Sequence, residues 1–399
     1  AYCASFPTIP MRTDAFTGNV NWPVYGWKSL DEDEITIPRY LRDAGYHTAF
    51  IHDTGNMEAA GFARDFDENV FLQPPAGWED RIGEVQFPVP REHLRQDGSL
   101  FVRDRAATLH YEHEEDWAVA RTMRAACSWL EDNRKRERFL LWIDTFEIHE
   151  DWRAPEYYTE YYSPHYEGLD YSYPNYGYTD IYQPHELARL QAHYAAEVTL
   201  TDRWVGQVLR SLELMGLYHN TMVILLSDHG MYLGEHRRTG KHTVDPEDPW
   251  PIYDEVGRIP LLIRHPAGGP RRSSALVQAA DVAPTILESC GADLPAMVGR
   301  SLLPVLRDHS DLVHEHVFTS CHSGSGPGRI NYLPSCITTT DAVWSLVTGP
   351  ESWQPALHHR PTDPRQEHNV IGEYPQVVDR LQVWDEIVRV RVWDGRTFE

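Results

Sequence analysis

Hydrophobic and polar positions along the chain predict helices and strands that follow one another. Apolar residues recur at helical spacing in four segments, which are residues 36–45, 116–134, 186–214 and 280–289. Short continuous apolar runs predict buried strands at residues 46–51, 139–146, 221–227 and 259–264. Because alternating strands and helices are typical of α/β domains, we predict a large, mostly parallel central sheet with helices on both faces.

The pattern changes after about Pro304, where the predicted elements become shorter and less regular. Residues 316–320 and 342–348 predict strands, and residues 376–390 predict a helix. We therefore predict two units, an α/β catalytic domain over residues 1–304 and a small C-terminal α+β subdomain over residues 305–399.

One long segment, residues 157–182, is rich in Tyr, Pro and Asp and shows no periodicity. Long irregular loops in compact domains are often lids or binding loops, but aromatic side chains also pack such segments against a surface. Both interpretations remain open for this segment, which would stack on a sugar or aryl ring in the first case.

Composition narrows the class of protein. Of the 399 residues, 41% are apolar and 24% are charged, as is usual for a soluble globular enzyme. The longest apolar runs have the length of strands, so no membrane span is predicted. The net charge of −24 repels nucleic acid and anionic membranes, which argues against both as partners. An anionic substrate would need a local group of cations or a metal ion.

The five cysteines form no Cys-x-x-Cys pair, which argues against a zinc ribbon and against thioredoxin chemistry. A disulfide framework is not expected in a chain of this length. Cysteine usage therefore favours a reducing compartment, such as the cytoplasm.

The first group of candidate residues lies near the start of the chain, where Pro7 and Pro10 bracket Thr8 and Arg12 follows four residues later. A helix that begins at Thr8 would point backbone N–H groups at an anion, and Arg12 would reach the same anion one turn on. A hydroxyl beside an arginine suits the transfer of a phosphoryl or sulfuryl group. The same residues also fit a helix cap followed by a surface arginine.

A second group, Asp228 and His229, follows the predicted strand at residues 221–227. A carboxylate and an imidazole at a strand end suit a divalent metal ion, and parallel sheets bind ligands at that edge. Asp144 ends another predicted strand and would lie at the same edge. A strand-end Asp can equally cap the next element.

Three more residues lie close to predicted strands. His149 follows the strand that ends near Asp144, and Lys241 and His242 precede the strand at residues 259–264. Each would bind an anion or assist a leaving group, although a single histidine in such a place is more often structural.

Together these segments resemble the sulfatase family of the alkaline phosphatase superfamily. The order of motifs is similar to the family's, with Thr8-x-Pro-x-Arg12 first and Phe-x-x-His-x-x-Trp around His149 next. Ser-Asp-His-Gly-x-x-Leu-Gly-Glu-His at residues 227–236 and Tyr-x-Glu-x-x-Arg-x-Pro-Leu at residues 253–261 follow. Four ordered motifs over nearly the whole chain are improbable by chance.

The resemblance implies a role for each candidate. Thr8 takes the nucleophile position, and Arg12 would orient it and bind the ester oxyanion. Asp228 and His229, with Thr8, would bind a divalent ion, and the sequence does not distinguish calcium, manganese and zinc. The residues left to bind the anion or assist the leaving group are His149, Lys241 and His242.

Thr8 itself departs from the family's pattern. Active sulfatases carry a Cys or Ser there, which is oxidised to formylglycine, whereas the β-carbon of Thr8 already bears a methyl group. No formylglycine is therefore expected. A Thr nucleophile resembles that of phosphodiesterase-like relatives, which implies a phospho-threonine intermediate.

Two further family features differ. The family has an Asp-Asp pair on a strand well before the nucleophile, whereas only seven residues precede Thr8. We therefore expect the first strand, and half of the metal site, to be missing from this chain. Where the family has Lys-x-His, the chain reads His52-Asp53-Thr54-Gly55-Asn56, so His52 and Asn56 are the candidates to bind substrate there.

The sequence thus predicts a metal-dependent, sulfatase-like hydrolase of sulfate or phosphate esters. One alternative is a phosphodiesterase or phosphonate-ester hydrolase that uses Thr8, and another is a non-catalytic, truncated sulfatase-like protein. The expected partner is a small anionic ester of a sugar or an aryl alcohol, with no nucleic acid and no membrane, and an oligomer is possible.

Overall fold

The computed structural model describes residues 1–22, 26–242, 248, 250–308, 311–322, 334–349 and 353–383. The α-helices that we number are α1 (Thr8–Thr17), α2 (Ile37–Asp43), α3 (Gly55–Ala59), α4 (Ser99–Thr108), α5 (Ala118–Asp132), α6 (Glu156–Tyr162), α7 (Pro184–Leu214), α8 (Asp254–Gly257), α9 (Val282–Cys290) and α10 (Leu303–Asp308). The strands are β1 (Ser5–Phe6), β2 (His47–His52), β3 (Glu68–Phe71), β4 (Phe139–Asp144), β5 (Gly177–Tyr178), β6 (Val223–Leu226), β7 (Tyr232–Leu233), β8 (Arg238–Gly240), β9 (Leu261–Arg264), β10 (Val317–His322), β11 (Pro334–Thr340), β12 (Trp344–Thr348) and β13 (Ala356–His359).

The strands of the larger unit form more than one sheet. Strands β3, β2 and β4 pair in parallel in that order, while β6 and β9 form a separate antiparallel pair. The α/β class and the eight helices and strands predicted within residues 36–289 are confirmed, within a few residues at their ends. The prediction of one large, mostly parallel sheet is wrong in that respect, because no described strand joins β4 to β6.

Helices cover both faces of these sheets, as predicted. Side chains of β4 alternate, so that Leu141 and Ile143 pack against α5 and α7, whereas Leu140 and Trp142 pack against α2 and α9. Val223 and Ile224 of β6 divide between the same two helix layers. Each helix layer therefore spans both β4 and β6.

The strands expected to be buried are only partly so. Leu225 of β6 and Leu262 of β9 keep 39% and 60% of their surface exposed. These two residues are direct partners across the β6–β9 pair, so they face the same side of it, and neither belongs to an apolar cluster of the described residues. Strand periodicity alone does not reveal which face a sheet leaves open.

A second sheet brings the start of the chain to its C-terminal part. Its order is β1-β10-β11-β12-β13, in which Ser5 pairs in parallel with Ser320 and the other neighbours are antiparallel. Strand β1 ends directly before α1, so this sheet holds the first turn of that helix in place. The boundary near residue 304 stays a prediction. Residues 375–383 are helical, and the rest of the helix predicted over 376–390 lies outside the described residues.

The Tyr-rich segment is ordered by its own aromatic side chains. It contains α6 and β5, so it is less irregular than its sequence suggests. Its buried tyrosines join one apolar cluster with Phe101, Trp152 and Leu190. The side chains that do so are Tyr171, Tyr173, Tyr176 and Tyr182. Among the described helices, none is both long and apolar enough to cross a membrane.

Candidate active site

Thr8 lies at the first turn of α1, directly after β1, and is only 3% exposed. Its φ of 26° is a left-handed value that a β-branched residue rarely adopts. The buried carboxylate of Asp14 accepts hydrogen bonds from the Ser5 amide at 2.9 Å and from the Asn21 amide at 2.8 Å. These bonds tie α1 to β1, so the surrounding structure holds Thr8 in its strained conformation.

Arg12 lies one turn further along α1 and is clamped by two strand-end carboxylates. Its Nε and Nη2 groups donate to the two oxygens of Asp144, each at 2.8 Å. Nη1 donates to Asp228 at 2.7 Å and to the backbone oxygen of Thr8 at 3.2 Å. A guanidinium has five N–H groups, and these contacts use four of them.

Arg12, Asp144 and Asp228, which we call the clamp, bring opposite charges into direct contact. Burial alone would lower the pKa of Arg12, but Asp144 and Asp228 outweigh it and raise that pKa above its usual range. Burial would likewise raise the pKa of Asp228, yet His229 when it is protonated, and the standing positive charges of Arg12 and Lys241, hold it well below its usual range. Both partners are therefore ionised at neutral pH.

The two ring nitrogens of His229 have different partners. Nδ1 lies 2.8 Å from the Gly230 carbonyl oxygen, which can only accept, so Nδ1 carries the proton. Nε2 is then unprotonated and lies 3.7 Å from Asp228, as in metal sites where a histidine donates its other N–H to a carbonyl. Within the described residues, however, no group of three or more His, Cys, Asp or Glu side chains is arranged to hold a metal ion.

His149 lies beyond the end of β4 and stacks on Phe146, with ring centroids 4.2 Å apart. Its Nδ1 donates to the Glu150 carbonyl oxygen at 2.7 Å, which leaves Nε2 as an acceptor. Burial lowers the pKa of His149 to about 4, although the Glu150 carboxylate opposes the change. The imidazole is therefore neutral at pH 7 and is poised to accept a proton rather than to donate one.

Lys241 brings a positive charge to the site. It is 6% exposed, and no described residue forms a hydrogen bond or ion pair with its ammonium. Its charge contributes to lowering the pKa of Asp228, His149 and Glu150, so it lies within electrostatic reach of all three. The ring of His242 lies against the ring of Tyr176, with centroids 5.2 Å apart.

The structure does not bring His52 and Asn56 to the same place. The His52 ring is fully buried between Phe50 and Phe71, and its Nε2 lies 3.0 Å from Glu58. Asn56 lies on α3, where its backbone amide donates to the Thr54 hydroxyl at 3.3 Å. In the described residues both are engaged locally, and no contact links either of them to Arg12 or Lys241.

Two acidic residues matter more than their motifs indicated. Asp53, at the position of the family's lysine, accepts from the Thr145 hydroxyl and the Phe146 amide, each at 2.7 Å. It thereby fixes the turn between β4 and His149, and burial raises its pKa although these bonds oppose the change. Asp144 was recognisable as a strand-end carboxylate, but only the fold reveals that Arg12 is its partner.

Comparison with protein families decides the relationship. A family model described as Sulfatase matches residues 1–292. The chain belongs to the sulfatase family. A second model, N-sulphoglucosamine sulphohydrolase, C-terminal, matches residues 248–391 of the chain. Family membership makes the chain a hydrolase that acts on sulfate or phosphate esters, from a family whose members use a divalent metal ion, typically calcium.

Curated relatives agree with this membership. An uncharacterized sulfatase of Escherichia coli, YidJ, is 27% identical over 400 residues, covering 94% of this chain and 75% of that protein. An N-acetylglucosamine-6-O-sulfatase of Bacteroides thetaiotaomicron is 36% identical over 194 residues, covering 45% of this chain and 32% of that enzyme.

Solved structures share the fold at low identity. A structure solved in complex with its substrate D-glucosamine-2-N,6-O-disulfate has a TM-score of 0.73 at 19% identity, covering 99% of this chain and 90% of that one. A phosphonate monoester hydrolase of Agrobacterium radiobacter has a TM-score of 0.74 at 17% identity, covering 98% and 88%. At these identities the likeness is one of fold.

Proposed function

We propose that this sulfatase-family chain hydrolyses phosphate esters in preference to sulfate esters, with the Thr8 hydroxyl as nucleophile. The observation that carries the proposal is the place of Thr8, buried at the start of α1 beside the clamped Arg12. No described residue forms a hydrogen bond with its hydroxyl, which leaves the oxygen available for attack. Because Thr8 cannot become formylglycine, a covalent phospho-threonine intermediate replaces the aldehyde chemistry.

Protonation states of the neighbouring residues support a division of roles. His149, neutral with Nε2 open, takes the proton of Thr8 as Oγ attacks phosphorus. The leaving oxygen departs with its bonding electron pair and takes a proton from the Lys241 ammonium. Water then attacks the phospho-threonine and gives a proton to Lys241, and the Thr8 oxygen leaves with its electron pair and recovers its proton from His149.

Arg12 fits the role of orienting Thr8 better than that of binding the anion. Four of its five N–H groups already donate to Asp144, Asp228 and Thr8, so one remains for an ester oxygen. Lys241 and the first amides of α1 are the groups left to balance the anionic charge. We assign the ester anion to them.

The proposed metal ion has few ligands among the described residues. Asp228 and the open Nε2 of His229 are of the type that a divalent ion takes, and Thr8 would be a third at the reacting centre. Divalent ions in proteins take roughly four to eight ligands, so the described residues do not make a complete shell. We therefore assign no step of the reaction to the ion and leave calcium, manganese and zinc undistinguished.

For the substrate we propose a small anionic ester of a sugar or aryl alcohol. The sulfated glucosamine bound in one structural neighbour and the phosphonate monoesters named for another both support this class. A phosphodiester or phosphonate ester is the alternative within the same chemistry, because Thr8 would attack either.

A non-catalytic role is the second candidate, favoured by the two-ligand metal site and by the saturation of Arg12. In that case the fold would bind an anion or a glycan without turnover. Retention of Lys241 and His149 beside the clamp argues against it.

The test is an assay of the purified chain, stripped of metal and then supplied with calcium, manganese or zinc. Substrates are 4-nitrophenyl sulfate, 4-nitrophenyl phosphate and bis(4-nitrophenyl) phosphate, with Thr8→Ala in parallel. We expect phosphate-ester hydrolysis that disappears in Thr8→Ala, and a phosphoryl group on the Thr8 peptide after acid quenching. Activity that survives Thr8→Ala would rule out the nucleophile, and binding of inorganic phosphate without turnover would favour the non-catalytic role.

A further inference from the structure

Glu150 is a buried carboxylate beside the candidate site to which the mechanism above gives no role. It is 3% exposed, and its Oε1 accepts a hydrogen bond from the Tyr176 hydroxyl. Its Oε2 has no hydrogen-bond partner among the described residues and lies 3.5 Å from Nδ1 of His149. The carbonyl oxygen and the carboxylate of one residue thus both face the same side of the imidazole.

Charge explains why this carboxylate is tolerated without a full set of partners. Burial would raise the pKa of Glu150, but His149, Lys241 and the Tyr176 hydroxyl lower it to about 2. A buried anion is costly unless cations or donors compensate it. Lys241 does so in the resting state, and His149 would do so whenever it carries a second proton.

The side chain of Tyr176 is tightly packed, which restricts the hydrogen-bond partners that its hydroxyl can reach. The ring is 1% exposed, and the Arg95 guanidinium lies 4.4 Å from its centroid. Gly240 also packs against Tyr176, where a Cβ would come within 2.9 Å of the ring, and its φ of 103° favours glycine.

The same segment is joined to the lysine loop through the backbone. Gly177 of β5 pairs with Thr239 of β8, and Lys241 follows directly after β8. The Tyr-rich segment thereby connects Glu150, through Tyr176, to the strand that presents the lysine. The packing of the Tyr-rich segment therefore helps to set the positions of both Glu150 and Lys241.

We propose that Glu150 and Tyr176 are positioning residues that orient the His149 imidazole and stabilise its charged form. The inference rests on the proposed function, in which His149 Nε2 takes the proton of Thr8 as the Oγ–phosphorus bond forms. At that moment the imidazolium lies 3.5 Å from the ionised Oε2, in the manner of a histidine–carboxylate pair in hydrolases. Tyr176 holds the carboxylate in that place.

The experiment compares Glu150→Gln and Tyr176→Phe with Tyr171→Phe as the matched control. Tyr171 is a buried tyrosine of the same segment whose hydroxyl bonds to His93 instead. With 4-nitrophenyl phosphate we expect Glu150→Gln to lower kcat by about 10- to 100-fold with little change in KM, as for partial loss of a general base. Tyr176→Phe should lower kcat less, and Tyr171→Phe should leave it unchanged.

A second readout keeps the inference separate from the proposed function. The Nδ1 proton of His149 is followed by NMR, assigned by its loss in His149→Gln, in each variant with native thermal unfolding. Its resonance should shift in Glu150→Gln and Tyr176→Phe and stay in place in Tyr171→Phe, whether or not the wild type turns over esters.

Two results would overturn the inference. One is a change of KM, or of the Kd for inorganic phosphate, at constant kcat in Glu150→Gln, since that marks Glu150 as a counter-ion of Lys241 alone. The other is an unshifted His149 resonance in both variants. A wild type without turnover but with the expected shifts would remove the proposed function and leave the positioning pair standing.

Discussion

The two sides of the candidate site are built in opposite ways. On one side, Arg12 donates four N–H groups to Asp144, Asp228 and Thr8, so that the charges of Arg12 and the two carboxylates are paired. On the other, Nε2 of His149, Oε2 of Glu150 and the Lys241 ammonium have no hydrogen bond within the described residues.

This difference separates what holds the site together from what acts in it. A saturated ion-pair network rigidifies its surroundings, and removing one member leaves a buried charge exposed to an apolar interior. A group without a partner is the place where a ligand supplies one. We therefore expect variants on the Arg12 side to change stability most, and variants on the His149 side to change catalysis most.

The largest expected effect follows from Arg12→Ala. The buried Asp144 and the partly buried Asp228 would lose their shared cation, which costs about 3–5 kcal/mol of the free energy of unfolding. Urea unfolding measures the loss. The control is Arg39→Ala, whose exposed pair with Asp43 at 4.0 Å should contribute less than about 0.5 kcal/mol. Equal losses in both variants would show that the clamp is no more than a surface pair.

On the open side, Lys241→Met tests catalysis rather than stability. We expect kcat/KM for 4-nitrophenyl phosphate to fall by about 10²–10³, the usual cost of removing one group that stabilises developing charge. The midpoint of unfolding should change far less than in Arg12→Ala. Lys28→Met, which removes a partly exposed lysine paired with Asp31, is the matched control and should retain full activity. A large loss of stability without loss of kcat/KM would reverse the comparison.

Lowering the pH should protonate His149 and thereby reduce both activity and stability. Its pKa of about 4 means that the neutral base is present above that pH, so kcat/KM should decrease as the pH falls through about 4. In the unfolded chain histidine titrates near ~6.5. Between ~6.5 and 4 the unfolded state therefore binds a proton that the native state does not, and the free energy of unfolding decreases as the pH falls.

His149→Gln should remove both effects. A pH profile of kcat/KM and urea unfolding at neutral and acidic pH make the measurement. An acid limb that persists unchanged in His149→Gln would assign it to another group.

The two sides also differed in how far the sequence revealed them. Asp144 and Asp228 were predicted to lie at one edge of a parallel sheet, whereas β4 and β6 belong to separate sheets and the two carboxylates meet through their shared contact with Arg12. Glu150 was invisible, since a lone Glu in an irregular stretch has no periodicity or motif. Its role depends on Tyr176, which is close in space but 26 residues away in sequence.

Other differences arise because local patterns do not determine tertiary partners. The helices were well predicted, because apolar spacing reports the face that is buried. The single large sheet was not found, because pairing between β4 and β6 is a long-range property. His52 was placed by resemblance, yet the rings of Phe50 and Phe71 enclose it, as only the fold could show.

A smaller effect concerns the backbone that holds Thr8. Its φ of 26° disfavours any residue with a Cβ, so Thr8→Gly should be more stable than Thr8→Ala by about 1 kcal/mol. This reverses the ordinary order in helices, which Ala15→Gly in the same helix should follow by losing about 1 kcal/mol. Thermal unfolding of the three variants decides the point, and Thr8→Gly below Thr8→Ala would remove the claim of strain.

The smallest expected effect is that of Asn56→Ala, which tests whether α3 contributes to substrate binding. Asn56 was predicted to bind substrate, but in the described residues its side chain forms no hydrogen bond and nothing links it to Lys241. We expect KM for 4-nitrophenyl phosphate to change by less than about twofold, since a side chain that does not touch the ester contributes no uniform binding. A tenfold rise in KM at constant kcat would instead extend the open side to α3, and the anion would then rest on Asn56 as well as on Lys241.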